Sequence, residues 1–298
     1  MAAKIPQTDV DQTKNGSGLS SNGAQPMVNV EGLRKLFPLT TSMFKRSTSF
    51  IHAVDDISFY IREGESLGLV GESGSGKTTV GKLLVRLLEP TEGHIRMLLD
   101  VEDQDIAHLR GRALRRFRWH TQMIFQDPYE SLNPRRTIFD TVAEPLVVQG
   151  IGDLVQREGR VAELLTMVGL APAETFMFRF PHELSGGQRQ RVAIARALVI
   201  SPSFVVADEP TSMLDVSIRT GVMHLMQDLA GELGVTYLYI THDLAVARYM
   251  TKRLAVMYLG KIVEMGETEE LLANPLHPYT HALLSAVPVP DPTLKREP

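Results

Sequence analysis

Residues 66–90 read SLGLVGESGSGKTTVGKLLVRLLEP. The first five form a short apolar run of the buried-strand type. Glycines follow at once. From Thr78 the apolar residues fall at helical spacing, and Pro90 is the expected stop. A strand, a glycine loop and a helix in that order are half of a βαβ unit. Within the loop, Gly71, Glu72, Ser73, Gly74, Ser75, Gly76, Lys77 and Thr78 fit G-x-x-x-x-G-K-[ST] in its required context. The glycines let successive N–H groups turn inward around an anion, and the helix N-terminus adds its positive dipole end. Lys77 is placed to reach β- and γ-phosphates and the Thr78 hydroxyl to hold Mg²⁺, with Thr79 beside it. A plain Gly/Ser turn would not need this spacing between those flanking elements.

Further along, FVVA (204–207) is a second buried strand that runs into Asp208-Glu209-Pro210. Open α/β sheets place ligands at such strand ends. Asp208 is the expected Mg²⁺ ligand, and strand alternation turns Glu209 the other way, towards a water attacking the γ-phosphate. A third element, QRQRVAIARALVI (188–200), is a helix opened by Leu184-Ser185-Gly186-Gly187-Gln188, with Ser185 as N-cap. Its paired glycines leave a second helix N-terminus free for phosphate. One nucleotide has no use for two such termini in one chain.

The rest of the chain fits an α/β domain. TGVMHLMQDLAGEL (220–233) reads as a helix and TYLYIT (236–241) as a strand. Strands alternating with helices imply a largely parallel sheet. Residues 28 onward and 51–61 are strand-like, separated by a polar, basic connection. Residues 100–180 read as mostly helical, with clear pieces at 113–119 and at 157–170, the latter closed by Gly169. The last thirty residues, rich in proline, look like an appendage. Residues 1–26 are polar and read as a disordered leader without a signal peptide's apolar core.

Composition narrows the function. With 31 Lys+Arg against 35 Asp+Glu the 298-residue chain carries a formal charge of −4, which gives no global pull towards nucleic acid or anionic lipid. Cysteine is absent, which excludes disulfides, thiolate metal sites and cysteine nucleophiles. No stretch nears the roughly 20 apolar residues of a membrane span. A soluble, intracellular protein is expected.

Taken together, GESGSGKTT (71–79), Gln126 in FQDP (125–128), LSGGQRQR (184–191), ADEPTSMLD (207–215) and THDLA (241–245) resemble, in order, the ATP-binding subunit of ABC transporters. The resemblance covers about 28–290. It implies an α/β P-loop NTPase core with a mostly parallel sheet, an antiparallel β subdomain and a helical subdomain near 125–200. The ATPase domain would span 27–265, with 266–298 as the appendage. It also implies two subunits that sandwich two ATP molecules, each ATP lying between one chain's 71–78 loop and the other's Ser185-Gly186-Gly187-Gln188. Glu209 becomes the general base, His242 the γ-phosphate switch, Asp215 the contact between subunits, and Gln126 the sensor of Mg²⁺ and water. Phe37 and Phe50 are both candidates to stack on adenine. Met213 departs from the alanine usual there.

DPYESLNPR (127–135), DVSIR (215–219) and the tail 260–292 resemble the dipeptide and oligopeptide importer branch, which includes nickel and glutathione systems. This branch implies a second ATPase in a heterodimer or homodimer, two membrane permeases and an extracytoplasmic solute-binding protein. The chain would sit peripherally on the cytoplasmic face of the inner membrane, with Tyr129 and Leu132 docking a permease. An ABC-type ATPase of DNA repair or translation is the alternative. It usually needs two cores in one chain, a coiled-coil insertion or zinc cysteines, and none is present. A P-loop GTPase or kinase would leave 184–188 without a role, and no N-K-x-D guanine motif occurs.

Overall fold

The computed structural model describes residues 26–39, 49–100 and 102–286. The proposed leader lies outside these residues except for Pro26, and so does the appendage beyond 286. Ten strands make two sheets. The first holds β1 (Pro26–Pro38), β2 (Phe50–Arg62), β4 (Glu92–Leu99) and β5 (Glu102–Asp105), all antiparallel in the order β2-β1-β4-β5. The second is six-stranded: β3 (Ser66–Val70), β6 (Thr121–Ile124), β7 (Phe204–Asp208), β8 (Thr236–Thr241), β9 (Arg253–Tyr258) and β10 (Lys261–Glu267). Its order is β10-β9-β3-β8-β7-β6, parallel throughout except for β10.

Side-chain patterning follows this division. β7 and β8 are buried at every position, as strands covered on both faces must be, whereas β4 alternates between exposed and buried residues near its end. The helices are α1 (Lys77–Leu84), α2 (Gly111–His120), α3 (Pro128–Ser131), α4 (Ile138–Gln149), α5 (Leu154–Met167), α6 (Ala173–Met177), α7 (Gly186–Leu198), α8 (Val216–Leu233), α9 (Leu244–Met250), α10 (Thr268–Ala273) and α11 (Pro278–Ser285). Five of them, α3 to α7, occur in succession between β6 and β7. Their apolar residues Val142, Leu146, Val161 and Leu164 join Val205 and Tyr237 of the sheet in one buried cluster. Helix ends obey local chemistry. Asp153 and Gln156 form a reciprocal capping box on α5, and Gly150 at φ 76° closes α4.

Three sequence boundaries differ. The helix after the glycine loop ends at Leu84 rather than running to Pro90, because Arg86 adopts φ 54°. Its buried guanidinium donates to the carbonyls of Ile106 (2.7 Å), Leu88 (3.2 Å) and Leu109 (3.1 Å), replacing the helical continuation. Helix α7 stops at Leu198, two residues early. The tail is no loose appendage up to residue 286. Tyr279, Leu283 and Leu284 pack against the cluster of Val70, Leu254 and Val256.

What positions the site is the parallel order. β3, β8, β7 and β6 are neighbours, and Val70 pairs with Thr241, Asp208 with Ile240, and Ile124 with Ala207. Their C-terminal ends therefore lie along one edge, and Gly71, His242, Glu209 and Gln126 leave the sheet side by side. Replacing Arg86 by leucine strands three inward carbonyls, so the Arg86→Leu variant is expected to lose about 3 kcal/mol of stability in urea unfolding.

Candidate active site

The edge opens into a cleft of about 710 Å³, a volume suited to a nucleotide. Gly71, Glu72, Ser73, Gly74, Gly76, Lys77, Thr78, Thr79, Gln126, Glu209 and His242 all line it. The loop glycines are there for space as well as for backbone freedom. A Cβ on Gly76 would lie 2.2 Å from the Ala53 carbonyl of β2, and one on Gly71 would lie 2.2 Å from the Met257 carbonyl of β9. Ser75 is buried and its carbonyl accepts the Gly260 N–H at 2.9 Å. The loop is thus clamped between strands distant in sequence.

Lys77 is 5% exposed and folds over its own loop. Its ammonium donates to the carbonyls of Gly71 (2.8 Å) and Glu72 (2.6 Å) and to the Ser75 hydroxyl (3.3 Å). Burial pulls its pKa down, opposed by the negative charges of Glu209, Asp208 and Glu72. Asp208 sits deep, and its Oδ1 accepts the Thr78 hydroxyl at 3.2 Å. Burial pushes its carboxyl up from the usual carboxylate range, only partly countered by that hydrogen bond. A pair of hard oxygen donors, the buried Asp208 carboxylate and the Thr78 hydroxyl on the open side of it, fits Mg²⁺.

Glu209 does not face the cleft through strand alternation. β7 ends at Asp208, and Glu209 takes φ 46°. The turn is pinned on both sides, since the Glu209 N–H donates to the Ile240 carbonyl (2.8 Å) and its own carbonyl accepts from the Ser212 hydroxyl (3.0 Å). Its carboxylate meets two groups: Gln126 Nε2 donates to Oε2 at 3.0 Å, and His242 Nδ1 lies 2.8 Å from Oε1. A left-handed residue outside glycine is strained, and the strain aims the one carboxylate that both flanking loops touch.

The second helix N-terminus is elsewhere. Ser185 and Gln188 cap α7 reciprocally, Gln188 N–H to Ser185 Oγ at 3.3 Å and Ser185 N–H to Gln188 Oε1 at 3.0 Å. Gly187 is forced by packing, because a Cβ there would lie 2.6 Å from Ile218 of α8. None of Ser185, Gly186, Gly187 or Gln188 lines the cleft. Asp215 is exposed at the head of α8 beside Val216 and Met213, which are 76% and 55% exposed. Phe37 and Phe50 stand outside the lining, which is formed on that side by Ile51, His52 and Ala53. Phe37 pairs with Ile51 across the strands, while Phe50 pairs with Pro38. Leu132 cannot dock a partner, since it is 2% exposed in the core under α3. Tyr129 is 56% exposed, with the Arg189 guanidinium 4.0 Å above its ring.

Sequence reasoning missed Ile51, His52, Ala53, Leu259, Gly260 and Leu283, all of which line the cleft. They arrive from β2, the β9–β10 turn and α11, elements whose approach to the loop no local pattern announces.

A glycine loop with buried lysine, a deep aspartate beside a threonine hydroxyl and an aimed glutamate define a P-loop nucleotide hydrolase. Residues 54–212 match the family described as ABC transporter, and residues 263–298 match the C-terminal region of oligopeptide/dipeptide transporters. The chain belongs to the ABC transporter family as an ATP-binding subunit, an ATPase, of the oligopeptide/dipeptide import branch. It is 46% identical to the oligopeptide transport ATP-binding protein AppF of Bacillus subtilis, over 91% of this chain and 81% of that one. It is 48% identical to a putative peptide import ATP-binding protein of Brucella ovis, over 91% and 82%. The same identity holds to the glutathione import ATP-binding protein GsiA of Salmonella typhimurium, of which it spans only 43%. Among solved structures, the ATP-binding cassette MJ0796, a dimer in a post-hydrolysis state with ADP and Pi, superposes with a TM-score of 0.69. It is 32% identical, over 81% of this chain and 99% of that one. Nothing among these relatives points to DNA repair or translation.

The raised carboxyl of Asp208 carries a linkage consequence. A carboxylate whose folded pKa lies above its unfolded value destabilises the fold at neutral pH, and that cost fades as pH falls through the folded pKa. Asp208→Asn is therefore expected to stabilise the nucleotide-free protein at pH 7 by roughly 1 kcal/mol while abolishing Mg²⁺-dependent hydrolysis. Thermal unfolding beside an ATPase assay checks both halves.

Proposed function

We propose that this chain drives import of di- or oligopeptides, or of a related small solute such as glutathione, by hydrolysing ATP between itself and a second ATPase subunit. The grip of Gln126 and His242 on one carboxylate, Glu209, carries the reading. It joins the three segments that a γ-phosphate and its attacking water would have to meet.

ATP would take up the anion cradle of 71–78, and Lys77 would exchange its loop oxygens for β- and γ-phosphate oxygens. Thr78, Asp208 and Gln126 would hold Mg²⁺, which supplies charge neutralisation for the phosphates. Glu209, freed from its resting hydrogen bonds, would accept the proton of the attacking water, and His242 would hold the γ-phosphate. Ser185, Gly186, Gly187 and Gln188 of a second subunit would cover the γ-phosphate in this cleft, with Asp215 at the contact. The partner is a related ATPase or a second copy. Phe37, sharing a face with Ile51, is the better placed aromatic for the adenine.

The permease surface is better sought away from Leu132. Leu87, 49% exposed, borders a groove of about 360 Å³ with Arg118, Gln122, Phe125 and Pro145, one residue from Gln126. A coupling segment seated there would feel Gln126 move. Two permeases and an extracytoplasmic binding protein complete the assembly, with this chain peripheral on the cytoplasmic face of the membrane. The reading involves no nucleic acid.

Glu209→Gln is expected to lower the ATPase rate by about 10² to 10⁴, the usual span for loss of a general base, with ATP affinity kept and the closed pair accumulating. Size-exclusion chromatography with Mg·ATP reads the trapped pair. Wild-type turnover in this variant would remove Glu209 as the base.

A further inference from the structure

Helix α11 lies in the region matched to the transporter C-terminus, outside residues 54–212, yet it reaches the phosphate loop. The Tyr279 hydroxyl accepts the Glu72 N–H at 2.9 Å. One turn further on, Leu283 lines the cleft itself. The peptide unit involved is the one that Lys77 uses. Its carbonyl, on Gly71, accepts the Lys77 ammonium at 2.8 Å, and its N–H, on Glu72, goes to Tyr279. In a trans peptide these two groups point in opposite directions, so Tyr279 on one side and Lys77 on the other fix the plane of the unit.

The tyrosine is itself held. Its ring lies against Tyr258, with centroids 4.2 Å apart. Its N–H donates to His277 Nδ1 at 3.1 Å, and the Glu264 carboxylate of β10 accepts the N–H groups of Leu276 (2.8 Å) and His277 (3.0 Å). Glu264 thus fastens the turn before α11 to the sheet. Burial leads in pushing the Tyr279 phenol up from a range in which tyrosine is already an O–H at neutral pH. After accepting from Glu72, that O–H still has its own proton to donate.

We propose that the C-terminal helix is part of the nucleotide site: Tyr279 is a positioning residue that orients the Gly71–Glu72 peptide behind Lys77, and Leu283 forms a wall of the cleft against the bound nucleotide. This rests on the reading of 71–78 as the ATP site. It adds a contribution from the transporter-specific segment to a site whose glycine loop, Gln126, Glu209 and His242 come from residues 71–242.

The test uses the full chain and titration with a fluorescent trinitrophenyl-ATP in Mg²⁺, beside thermal unfolding without nucleotide. Tyr279→Phe keeps the ring and removes the hydrogen bond. It is expected to unfold cooperatively within a few degrees of the wild type, as loss of one hydrogen bond allows, and to bind the analogue about five-fold more weakly because the Gly71–Glu72 peptide is no longer held. Leu283→Glu, at a half-buried position, sets a negative charge on the wall and is expected to weaken binding roughly ten-fold. Wild-type affinity in both variants, each folded, would overturn the proposal while leaving the ATP site intact. Failure of the wild-type chain to bind the analogue would instead overturn the ATP-site reading, and this inference with it.

Discussion

The structure turns on a buried lysine whose ammonium hydrogen-bonds to the loop that carries it. Lys77 costs folding energy by being buried, as its depressed pKa records, and the loop oxygens of Gly71, Glu72 and Ser75 are what make the position tolerable. Those oxygens converge only if the loop keeps one shape. The shape is imposed from outside, by β2 and β9 carbonyls pressed against Gly76 and Gly71 and by Gly260 bonded to Ser75. Phosphate oxygens are the natural replacement for the carbonyls. The loop is therefore a preshaped ring of oxygens around the Lys77 ammonium.

A second consequence concerns the opposite charges. Asp208 and Glu209 are adjacent in sequence yet live differently. Asp208 ends a buried strand, where its carboxylate accepts the Thr78 hydroxyl and burial works against its charge. Glu209 is thrown into a left-handed turn, partly open, with amide and imidazole partners from two other strand ends. One carboxylate is buried beside a hydroxyl, and the other stands partly open between an amide and an imidazole. The fold gives them different surroundings in one step along the chain, Asp208 ending the strand and Glu209 lying just past it.

The chemistry was largely legible in the sequence because it is local. The 66–84 strand–loop–helix, the 204–208 strand with its acids, the capped helix at 186 and the strand at 236–241 each declare themselves by pattern and motif. What was not legible is what depends on distant packing. The early end of α1 follows from Arg86 meeting carbonyls some twenty residues away. The orientation of Glu209 came from a turn, where alternation suggested a strand. Leu132, apolar and next to an exposed tyrosine, read as a docking residue and proved to be core. Pro145 lies inside α4, where sequence rules expect a break. The walls from β2, the β9–β10 turn and α11 depend on tertiary contacts that no window of residues encodes.

The central claim is that the site is completed by a second subunit, since the phosphate loop and the capped helix of α7 belong to one chain but do not meet in one cleft. The absence of cysteine makes a direct test clean. Ser185→Cys, labelled with a benzophenone maleimide as the purified chain and then returned to the gently solubilised native assembly, carries that chain's single photoreactive group at the head of α7. On illumination with Mg²⁺ and a non-hydrolysable ATP analogue, the account predicts an adduct to the glycine loop of another ATPase chain, absent without nucleotide. Adducts confined to the chain's own residues, or formed equally without nucleotide, would contradict it.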